Sequence, residues 1–312
     1  MHKFLTKAWN LIRRFSLLLR LGIVIILFSI LLYNVRLHEI FLAVRNARPG
    51  YLLIALLMMI PSLLLQVGKW YFLLGTTGPR PPFKYAVLSL LGGFFLGAIS
   101  PARTGELARG FLIPGQSKLK IASLTVLDKG FNHVMTYTAA FTALLFALSW
   151  PFKLAPVAAE VVLVAVLVNI HRLRPGLERA CRRMSHKQTV ENVFALFDAL
   201  SRRTVWVMLG FSAAFYLTYT IQLFFFFRCY TDLPWSVAAE TVPLIYAINL
   251  VMPITIGDLG VKEMASVKLL GPFGIPGGAA FSASLTQNVV TFIIPGIFGG
   301  FILAAFSQRR HQ

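Results

Sequence analysis

The strongest constraint on the fold of this chain is a series of apolar segments that are long enough to cross a lipid bilayer as helices. A helix needs about 20 apolar residues to cover the hydrocarbon core. Six segments reach or approach that length, near 17–34, 51–74, 121–149, 154–170, 205–229 and 278–306. Because backbone groups inside a bilayer must be hydrogen-bonded within the protein, such segments form helices. We therefore predict an all-α, polytopic integral membrane protein.

Composition supports this fold class and argues against a soluble nucleic-acid-binding protein. Of the 312 residues, 57% are hydrophobic and only 13% are charged, which leaves too few polar groups to cover a soluble domain. The formal net charge of +19 is strongly basic. The basic residues cluster in loops, where they face anionic lipid headgroups and set the orientation of the helices. We expect membrane lipids, and no nucleic acid, as partners.

Two further apolar regions are interrupted in the middle by proline and glycine. They cover residues 84–113 and 235–270, and each is long enough for two half-length helices. We predict that each forms a re-entrant helical hairpin that enters and leaves the membrane on one side. Such backbone is tolerated at membrane depth only where it is buried in protein or lines a wet cavity.

The two interrupted regions carry similar motifs. Residues 101–107 and 253–259 both fit the pattern Pro-x-x-x-Gly-acid-Leu, and an Ala-Ser-Leu-Thr sequence follows each of them. Three predicted full spans separate equivalent points, so the second copy would be inverted relative to the first. This pattern predicts an inverted repeat with a transport site near the midplane. The expected hinge residues are Pro101, Gly105, Pro253, Gly257 and Gly260.

These features give one transmembrane domain over residues 1–312. Repeat 1 covers about 51–170 and repeat 2 about 205–306, with a basic connector at 171–204 that contains an amphipathic helix near 186–202. The basic residues of the two termini and of the connector place these segments in the cytoplasm, and the segment 230–240 outside. Arg36, Arg45 and Arg48 disagree with this bias, because the scheme places them outside.

The first motif provides the best candidate for an anion site. Arg103, Glu106 and Arg109 are spaced i, i+3 and i+6 and should share one helix face. A helix start and two arginines favour an anionic group such as a lipid phosphate. Glu106 would hold the arginines or release them when the phosphate arrives. The structural alternative is a Glu–Arg clasp at the membrane surface.

Other ionisable and polar residues extend this candidate site. In the second copy, Asp258 and Lys262 form an i, i+4 pair that could be self-neutralising, and Glu263 has no adjacent partner and suits a gate or a proton-coupled carboxylate. Asp128, Lys129, Asn132 and His133 form a polar group on the segment 121–149. Gln66, Lys69 and Gln222 are further candidates for lining the same cavity, although Lys69 could also extend to the headgroups.

Signatures of enzymes and cofactor sites are missing from the sequence. There is no glycine-rich phosphate loop, no His-Glu-x-x-His, no Gly-x-Ser-x-Gly and no Asp-x-x-Asp pair. Two distant cysteines and six scattered histidines suggest neither a disulfide framework nor a metal site. We therefore expect a protein that is not an enzyme and that has no cofactor and no metal.

The motif Arg103-x-Gly105-Glu106-x-x-Arg109, after a glycine-rich apolar helix, resembles the lysylphosphatidylglycerol synthase transmembrane-region family, which includes flippase-like domain proteins. Pro253 to Glu263 and the Lys69-Trp70 pair are similar to further signatures of that family. The similarity extends from about residue 15 to 306. It departs from the family pattern at a few polar positions, which are Asp128-Lys129, Asn132, Asp258 and Gln287.

This resemblance implies a multi-pass protein of a bacterial or archaeal plasma membrane that moves a lipid or a lipid-linked headgroup between leaflets. Members that flip lysyl-phosphatidylglycerol are fused to a soluble aminoacyl-transfer domain, which has no counterpart here, so synthesis of that lipid is not expected. The expected function is a flippase for an anionic phospholipid or glycolipid. A headgroup or glycosyl transfer enzyme, a transporter of a small anion and a scaffold stay open as alternatives, as do self-association and binding to lipid-synthesis enzymes.

Overall fold

The computed structural model describes residues 37–76, 78–98, 100, 103–150, 152–168, 172, 200–252 and 259–308. Its described residues form helices and no strand, as expected for an all-α membrane protein. The α-helices are α1 (Leu37–Arg45), α2 (Pro49–Leu57), α3 (Met59–Leu74), α4 (Phe83–Ala98), α5 (Lys118–Ala147), α6 (Leu154–Val168), α7 (Arg202–Tyr230), α8 (Trp235–Val251), α9 (Val261–Leu270), α10 (Gly277–Asn288) and α11 (Ile294–Gln308). Two 3₁₀ helices (Thr104–Leu112 and Gly271–Phe273) and a π-helical segment (Val289–Ile293) complete the described elements.

Three helical stretches are long and apolar enough to cross a membrane, by length and composition. They are Pro49–Leu74, Arg202–Tyr230 and Gly277–Ile302, which correspond to the predicted spans 51–74, 205–229 and 278–306. The predicted spans 121–149 and 154–170 are the helices α5 and α6. The predicted span 17–34 and most of the connector, including its amphipathic helix up to residue 199, lie outside the described residues.

The first interrupted region folds back on itself. Helix α4 ends at Ala98, and the 3₁₀ helix begins at Thr104 after a short break. A Cβ atom at Gly97 would lie 2.8 Å from Glu106 Cγ, and one at Gly93 would lie 2.6 Å from Arg109 Nε. Later residues of the 3₁₀ helix therefore contact earlier residues of α4, so the two elements run antiparallel, as in the predicted hairpin.

The second interrupted region also consists of two helices, α8 and α9, which pack against each other. Residues 253–258 between them lie outside the described residues, and they include Pro253, Gly257 and Asp258. Gly260 precedes α9 with a φ of 102°, a backbone conformation that side chains other than glycine rarely adopt. The turn at the start of α9 therefore favours glycine at this position; the role of Gly260 as a hinge stays a prediction.

A proline breaks the span 49–74 into α2 and α3. Pro61 has no N–H to donate to Leu57, the fourth residue before it, and the helix is interrupted at Met58. Gln222 of α7 donates a hydrogen bond of 2.9 Å to the carbonyl of Ala55 near this break. Gln222 was expected to line the cavity. It is instead fully buried against this bend.

Two hydrophobic cores divide the molecule. One contains Trp70, Leu90 and Leu124 and is drawn mainly from residues 67–131. The other contains Leu223, Phe226 and Val242 and is drawn mainly from residues 223–290. The two halves also pack extensively against each other, chiefly through α11 on α4 and α8 on α5, and a cavity lies where they meet.

Helix α11 packs on α4 of the other half through Gly296 and Gly299, which form a glycine seam. A Cβ atom at Gly299 would lie 2.0 Å from the carbonyl oxygen of Leu91, and one at Gly296 would lie 3.5 Å from the backbone of Phe94. The backbones of α11 and α4 therefore approach closely, as small residues permit between helices in a membrane. This contact fixes α4, and with it the antiparallel 3₁₀ helix, against the C-terminal half.

The loop before α2 and the loop between α7 and α8 meet at one end of the molecule. Nη1 and Nη2 of Arg48 donate to Oδ1 and Oδ2 of Asp232, at 2.6 and 2.5 Å respectively. Arg228 donates to the hydroxyl of Tyr51 in the same cluster. The predicted topology places both Arg48 and Asp232 on the outer side of the membrane, where Arg48 is an exception to the charge bias. The pairing puts the two loops on the same face and gives Arg48 a local counterion.

Candidate functional site

The two halves of the chain enclose a cavity of about 320 Å³, which is the size of a small ligand pocket. One wall comes from α3, α4, the 3₁₀ helix with the preceding Arg103, and α5, and the other from α7 to α10 and the π-helical segment. Its polar lining residues are Gln66, Arg103, Glu106, Arg109, Asp128, Lys129, Asn132, His133, Thr136, Ser212, Tyr216, Tyr219, Tyr246, Asn249, Lys262, Asn288 and Thr291.

The 3₁₀ helix aligns the charged residues of the first motif. A 3₁₀ helix has three residues per turn, so side chains at i and i+3 lie directly above one another. Glu106 and Arg109 are spaced in this way and both are buried, whereas Leu107 and Phe111 on the other side are 37% and 60% exposed. The element therefore turns its charges inward and its apolar side chains outward, as expected for a segment with lipid outside and a polar cavity inside.

Arg103 precedes this helix in a strained backbone conformation. Its φ of 55° makes it the one residue other than glycine with a positive φ in the described part of the chain. A non-glycine residue in the left-handed region costs about 1–2 kcal/mol and persists only where its surroundings hold it. The Arg103 guanidinium lies 3.7 Å from the centre of the Phe292 ring and donates to Glu106. Such strain is typical of functional sites.

Glu106 is the centre of the charged cluster. Its Oε1 accepts from Arg103 Nε at 2.7 Å and from Lys129 Nζ at 2.9 Å, and its Oε2 accepts from Arg109 Nη2 at 2.6 Å. The residue is only 1% exposed. One buried carboxylate therefore holds three cations from two different elements.

Asp128 is the second counterion. Its two carboxylate oxygens pair with Lys69 Nζ at 2.8 Å and with Arg109 Nη1 at 3.4 Å. Lys69 also donates to Asn132 Oδ1 at 2.5 Å and to Ser212 Oγ at 3.3 Å. Lys69 is buried among these oxygens and does not extend to the headgroups, since α3 places it beside α5 and α7 instead of at a helix end facing the solvent.

The Lys69-Trp70 pair supports the cluster from α3. The Trp70 indole N–H donates to Ser89 Oγ at 2.9 Å, which fixes the ring, and the Arg109 guanidinium lies 5.1 Å from the ring centre. Arg109 is thus enclosed by two carboxylates and an aromatic face. Its placement between fixed partners indicates that it positions Glu106 and Asp128.

Two of the cluster's cations retain access to the cavity. The side chains of Arg103 and Lys129 are 25% and 29% exposed, whereas those of Lys69 and Arg109 are 1% and 2% exposed. Among the described residues, four cations against two carboxylates give this cluster a formal charge of +2. The accessible edge of the cluster is therefore a cationic surface, which favours an anion.

The second half of the chain contributes a separate polar group. Lys262 Nζ lies 3.2 Å from Gln287 Oε1, and the Gln287 amide nitrogen donates to the Tyr219 carbonyl and to the Tyr246 hydroxyl. Tyr219 and Tyr246 stack with ring centres 4.9 Å apart. Lys262 is 3% exposed and lines the cavity.

Glu263 accepts one hydrogen bond from the backbone, and its other carboxylate oxygen, Oε1, has no hydrogen-bond partner among the described residues. Its Oε2 accepts a hydrogen bond of 2.7 Å from the backbone N–H of Gly260. The carboxylate reaches back to the start of α9, where the first N–H groups of a helix need acceptors. Glu263 is fully buried and is absent from the cavity lining.

The structure brings most of the predicted site residues together. Arg103, Glu106, Arg109, Asp128, Lys129, Asn132 and Lys262 line the cavity, and Lys69 lies directly behind Asp128. Asp258 lies outside the described residues, as do the hinge residues Pro101, Pro253 and Gly257. Gly105 packs against the backbone of Leu96, where a Cβ atom would lie 2.1 Å from the carbonyl oxygen.

Sequence reasoning missed the aromatic and amide side chains of the second wall. They are Phe215, Tyr216, Tyr219, Tyr246 and Asn249. Aromatic residues are common throughout this chain, so their types alone gave no signal. The spacing of Phe215, Tyr216 and Tyr219 on α7 would have placed them on one helix face.

Among the described residues, no group of three or more His, Cys, Asp and Glu side chains is arranged to hold a metal ion. The polar lining of the cavity consists of ammonium, guanidinium, carboxylate, amide, imidazole, hydroxyl and phenol groups. These groups bind and orient an anion through charge-assisted hydrogen bonds.

Comparisons with known proteins identify a family and a relative. The family described as the lysylphosphatidylglycerol synthase TM region matches residues 17–299. The UPF0104 membrane protein MJ1595 of Methanocaldococcus jannaschii is 21% identical over 282 residues, which cover 81% of this chain and 84% of that protein.

Proposed function

Since this chain belongs to the lysylphosphatidylglycerol synthase transmembrane-region family, we propose that it translocates an anionic phospholipid or lipid-linked headgroup between the two leaflets of a plasma membrane. Both termini lie in the cytoplasm in this proposal, and the lipids of the surrounding bilayer are its partners. Repeat 1 (about 51–170) and repeat 2 (about 205–306), each with one interrupted region, act as the inverted repeats of an alternating-access transporter. The lipid is moved and is not chemically changed.

One observation carries the proposal: the cavity contains a net cationic cluster with two accessible cations, Arg103 and Lys129. Moving a bare charged headgroup through hydrocarbon costs many kcal/mol, so a translocator must offer counter-charges along the path. Arg103 and Lys129 offer them at the cavity edge of the cluster, and both are held by the carboxylate of Glu106.

Glu106 acts as an exchangeable counterion in this mechanism. In the empty site its Oε1 accepts hydrogen bonds from both Arg103 and Lys129. A lipid phosphate that enters offers the same two cations stronger acceptors with more oxygens. Glu106 keeps Arg109 through its Oε2, so it stays in place when the phosphate arrives and recaptures the cations when it leaves. The pairing of Arg109 with Asp128 holds this arrangement in register.

The outward face of the 3₁₀ helix gives the acyl chains a route. Leu107 and Phe111 are exposed on the side opposite Glu106 and Arg109. A lipid could therefore place its headgroup in the cavity while its tails stay in contact with apolar side chains in the bilayer. This division removes the cost of bringing the tails through the protein.

The proposal is tested by reconstituting the purified protein in liposomes that contain a fluorescent phosphatidylglycerol, and by measuring how fast the label becomes accessible to an external quencher. Arg103→Gln and Lys129→Gln should each slow translocation by about tenfold or more, because a hydrogen bond to a charged group contributes about 1.5–3 kcal/mol. Arg202→Gln is the matched control, because Arg202 is exposed at the start of α7.

Translocation by both variants at the wild-type rate would refute the proposed site. The alternatives have their own signatures in the same liposomes. Uptake of a soluble anion without lipid movement would favour a small-anion transporter, and a change in lipid mass after incubation with a labelled headgroup donor would favour a transfer enzyme.

A further inference from the structure

The lysine on the second wall of the cavity has no described acidic partner. Lys262 is 3% exposed, and its one described side-chain hydrogen bond, at 3.2 Å, goes to the neutral amide oxygen of Gln287. The carboxylate of the neighbouring Glu263 accepts from the backbone N–H of Gly260, and the described residues show no ion pair between it and Lys262. A buried ammonium without an anion is costly, so such groups are normally paired.

Gln287 cannot supply that anion. Its amide nitrogen is committed to Tyr219 and Tyr246, which fixes its oxygen toward Lys262 as a neutral acceptor. An ammonium has three donors, and the amide uses one of them. The remaining donors of Lys262 are available to a group in the cavity that Lys262 lines.

We infer that Lys262 forms a second anion subsite, and that the headgroup has two anionic centres, as in a lipid diphosphate or a phosphate that carries a second acidic group. This inference rests on the proposed function. Arg103 and Lys129 bind the first anionic centre from one half of the chain, and Lys262 binds the second from the other half. Both subsites belong to the same cavity.

The charges of the cavity agree with a headgroup of this kind. The first cluster has a formal charge of +2 from four cations and two carboxylates. Lys262 adds a third positive charge on the opposite wall. A phosphodiester with one negative charge would leave most of this charge uncompensated, whereas two anionic centres would neutralise each wall separately.

The test compares two ligands that share one tail, farnesyl phosphate and farnesyl diphosphate, by titration calorimetry of the full-length protein in a neutral detergent. The wild type should bind the diphosphate about tenfold more tightly, since one further charge-assisted hydrogen bond supplies that factor. Lys262→Met should abolish the preference without changing the affinity for the monophosphate. Lys129→Met should weaken the binding of both ligands.

Lys268→Met is the matched control, because Lys268 is exposed on the same helix, α9. It should retain the full preference for the diphosphate. Inorganic pyrophosphate serves as a competitor: weak competition supports a lipid source for the anion, and competition equal to that of farnesyl diphosphate would overturn the lipid part of the inference.

Ligand-free stability gives a second measurement, which also tests Asp258, the acid four residues before Lys262. If the ligand neutralises Lys262, ligand-free Lys262→Met unfolds at the wild-type temperature or above it. A lower Tm for Lys262→Met that Asp258→Asn restores would identify an internal ion pair and overturn the inference. An equal affinity of the wild type for both farnesyl ligands would also overturn it, while leaving translocation through Arg103 and Lys129 intact.

Discussion

Replacing Glu106 by glutamine is the most direct test of the charged cluster, because the substitution keeps the shape of the side chain and removes its charge. Glu106 forms ion pairs with Arg103, Arg109 and Lys129 at 2.7, 2.6 and 2.9 Å. Its loss raises the formal charge of the cluster from +2 to +3. Removing one partner of a buried pair typically costs about 3–5 kcal/mol.

The three pairs do not contribute equally to that cost. Arg109 is almost completely buried and cannot be rehydrated, whereas Arg103 and Lys129 are partly exposed, so water and ions screen them when Glu106 is neutral. We therefore expect a loss of about 3 kcal/mol of unfolding free energy, dominated by the pair with Arg109. The anionic ligand should bind more tightly to Glu106→Gln, because its cations no longer have a competing carboxylate, and translocation should slow because release is slower.

The measurements are denaturant unfolding in detergent, ligand titration and the liposome assay. Glu160→Gln serves as the control, since Glu160 is partly exposed on α6 and does not line the cavity; its unfolding free energy should stay within about 0.5 kcal/mol of wild type. The double variant Glu106→Gln/Lys129→Met restores the charge of +2 and should recover part of the lost stability. Wild-type stability and wild-type translocation in Glu106→Gln would refute the argument that this carboxylate holds the cations.

The remaining predictions concern the glycine seam and the loop pair. Gly299→Ala should lower the free energy of unfolding by about 1–3 kcal/mol, since its Cβ would lie 2.0 Å from the Leu91 carbonyl oxygen. Gly130→Ala is the control; it has open space around the new Cβ and should raise the free energy of unfolding by about 0.5–1 kcal/mol. Unfolding in detergent measures both variants, and equal effects would contradict the close contact between α11 and α4. The Arg48 guanidinium lowers the pKa of Asp232 below its ordinary value of 3.8, so the pair stabilises the folded state above that value and is lost as the pH falls through the lower, folded pKa. Asp232→Asn should therefore flatten the decline of Tm in acid, and an unchanged decline would show that the pair does not contribute.

The sequence predicted the charged wall of the cavity because its residues obey a simple rule. Charges are rare in apolar segments, so each one is a candidate, and the i, i+3, i+6 spacing of the first motif identifies one face. The helix type was not predicted, but the face was the same, because a period of 3.0 aligns these positions even better than a period of 3.6. Asp128 and Lys129 were candidates as a polar group on the segment 121–149, but the sequence did not show which residues of the first motif they contact.

The roles within the site could not be read from the sequence. Arg103 and Arg109 look equivalent in the motif, yet the structure buries Arg109 against Trp70 and leaves Arg103 at the cavity edge. That difference depends on how α3 packs, which a local pattern does not contain. Glu263 was expected to have no adjacent side-chain partner, and the structure adds a hydrogen bond from the backbone N–H of Gly260 to its Oε2, which side-chain types alone do not reveal.

The different burial of the two arginines connects the fold to the proposed transport. A cation that moves with each lipid must exchange partners, which requires access to the cavity, while the carboxylate must remain fixed so that the cations have an acceptor in the empty site. Arg109 and Lys69 are enclosed by carboxylates and other protein groups, so they anchor Glu106 and Asp128. Arg103 and Lys129 share one oxygen of Glu106 and keep an exposed surface. The cluster therefore combines a rigid half with an exchangeable half, which a structural clasp alone would not need.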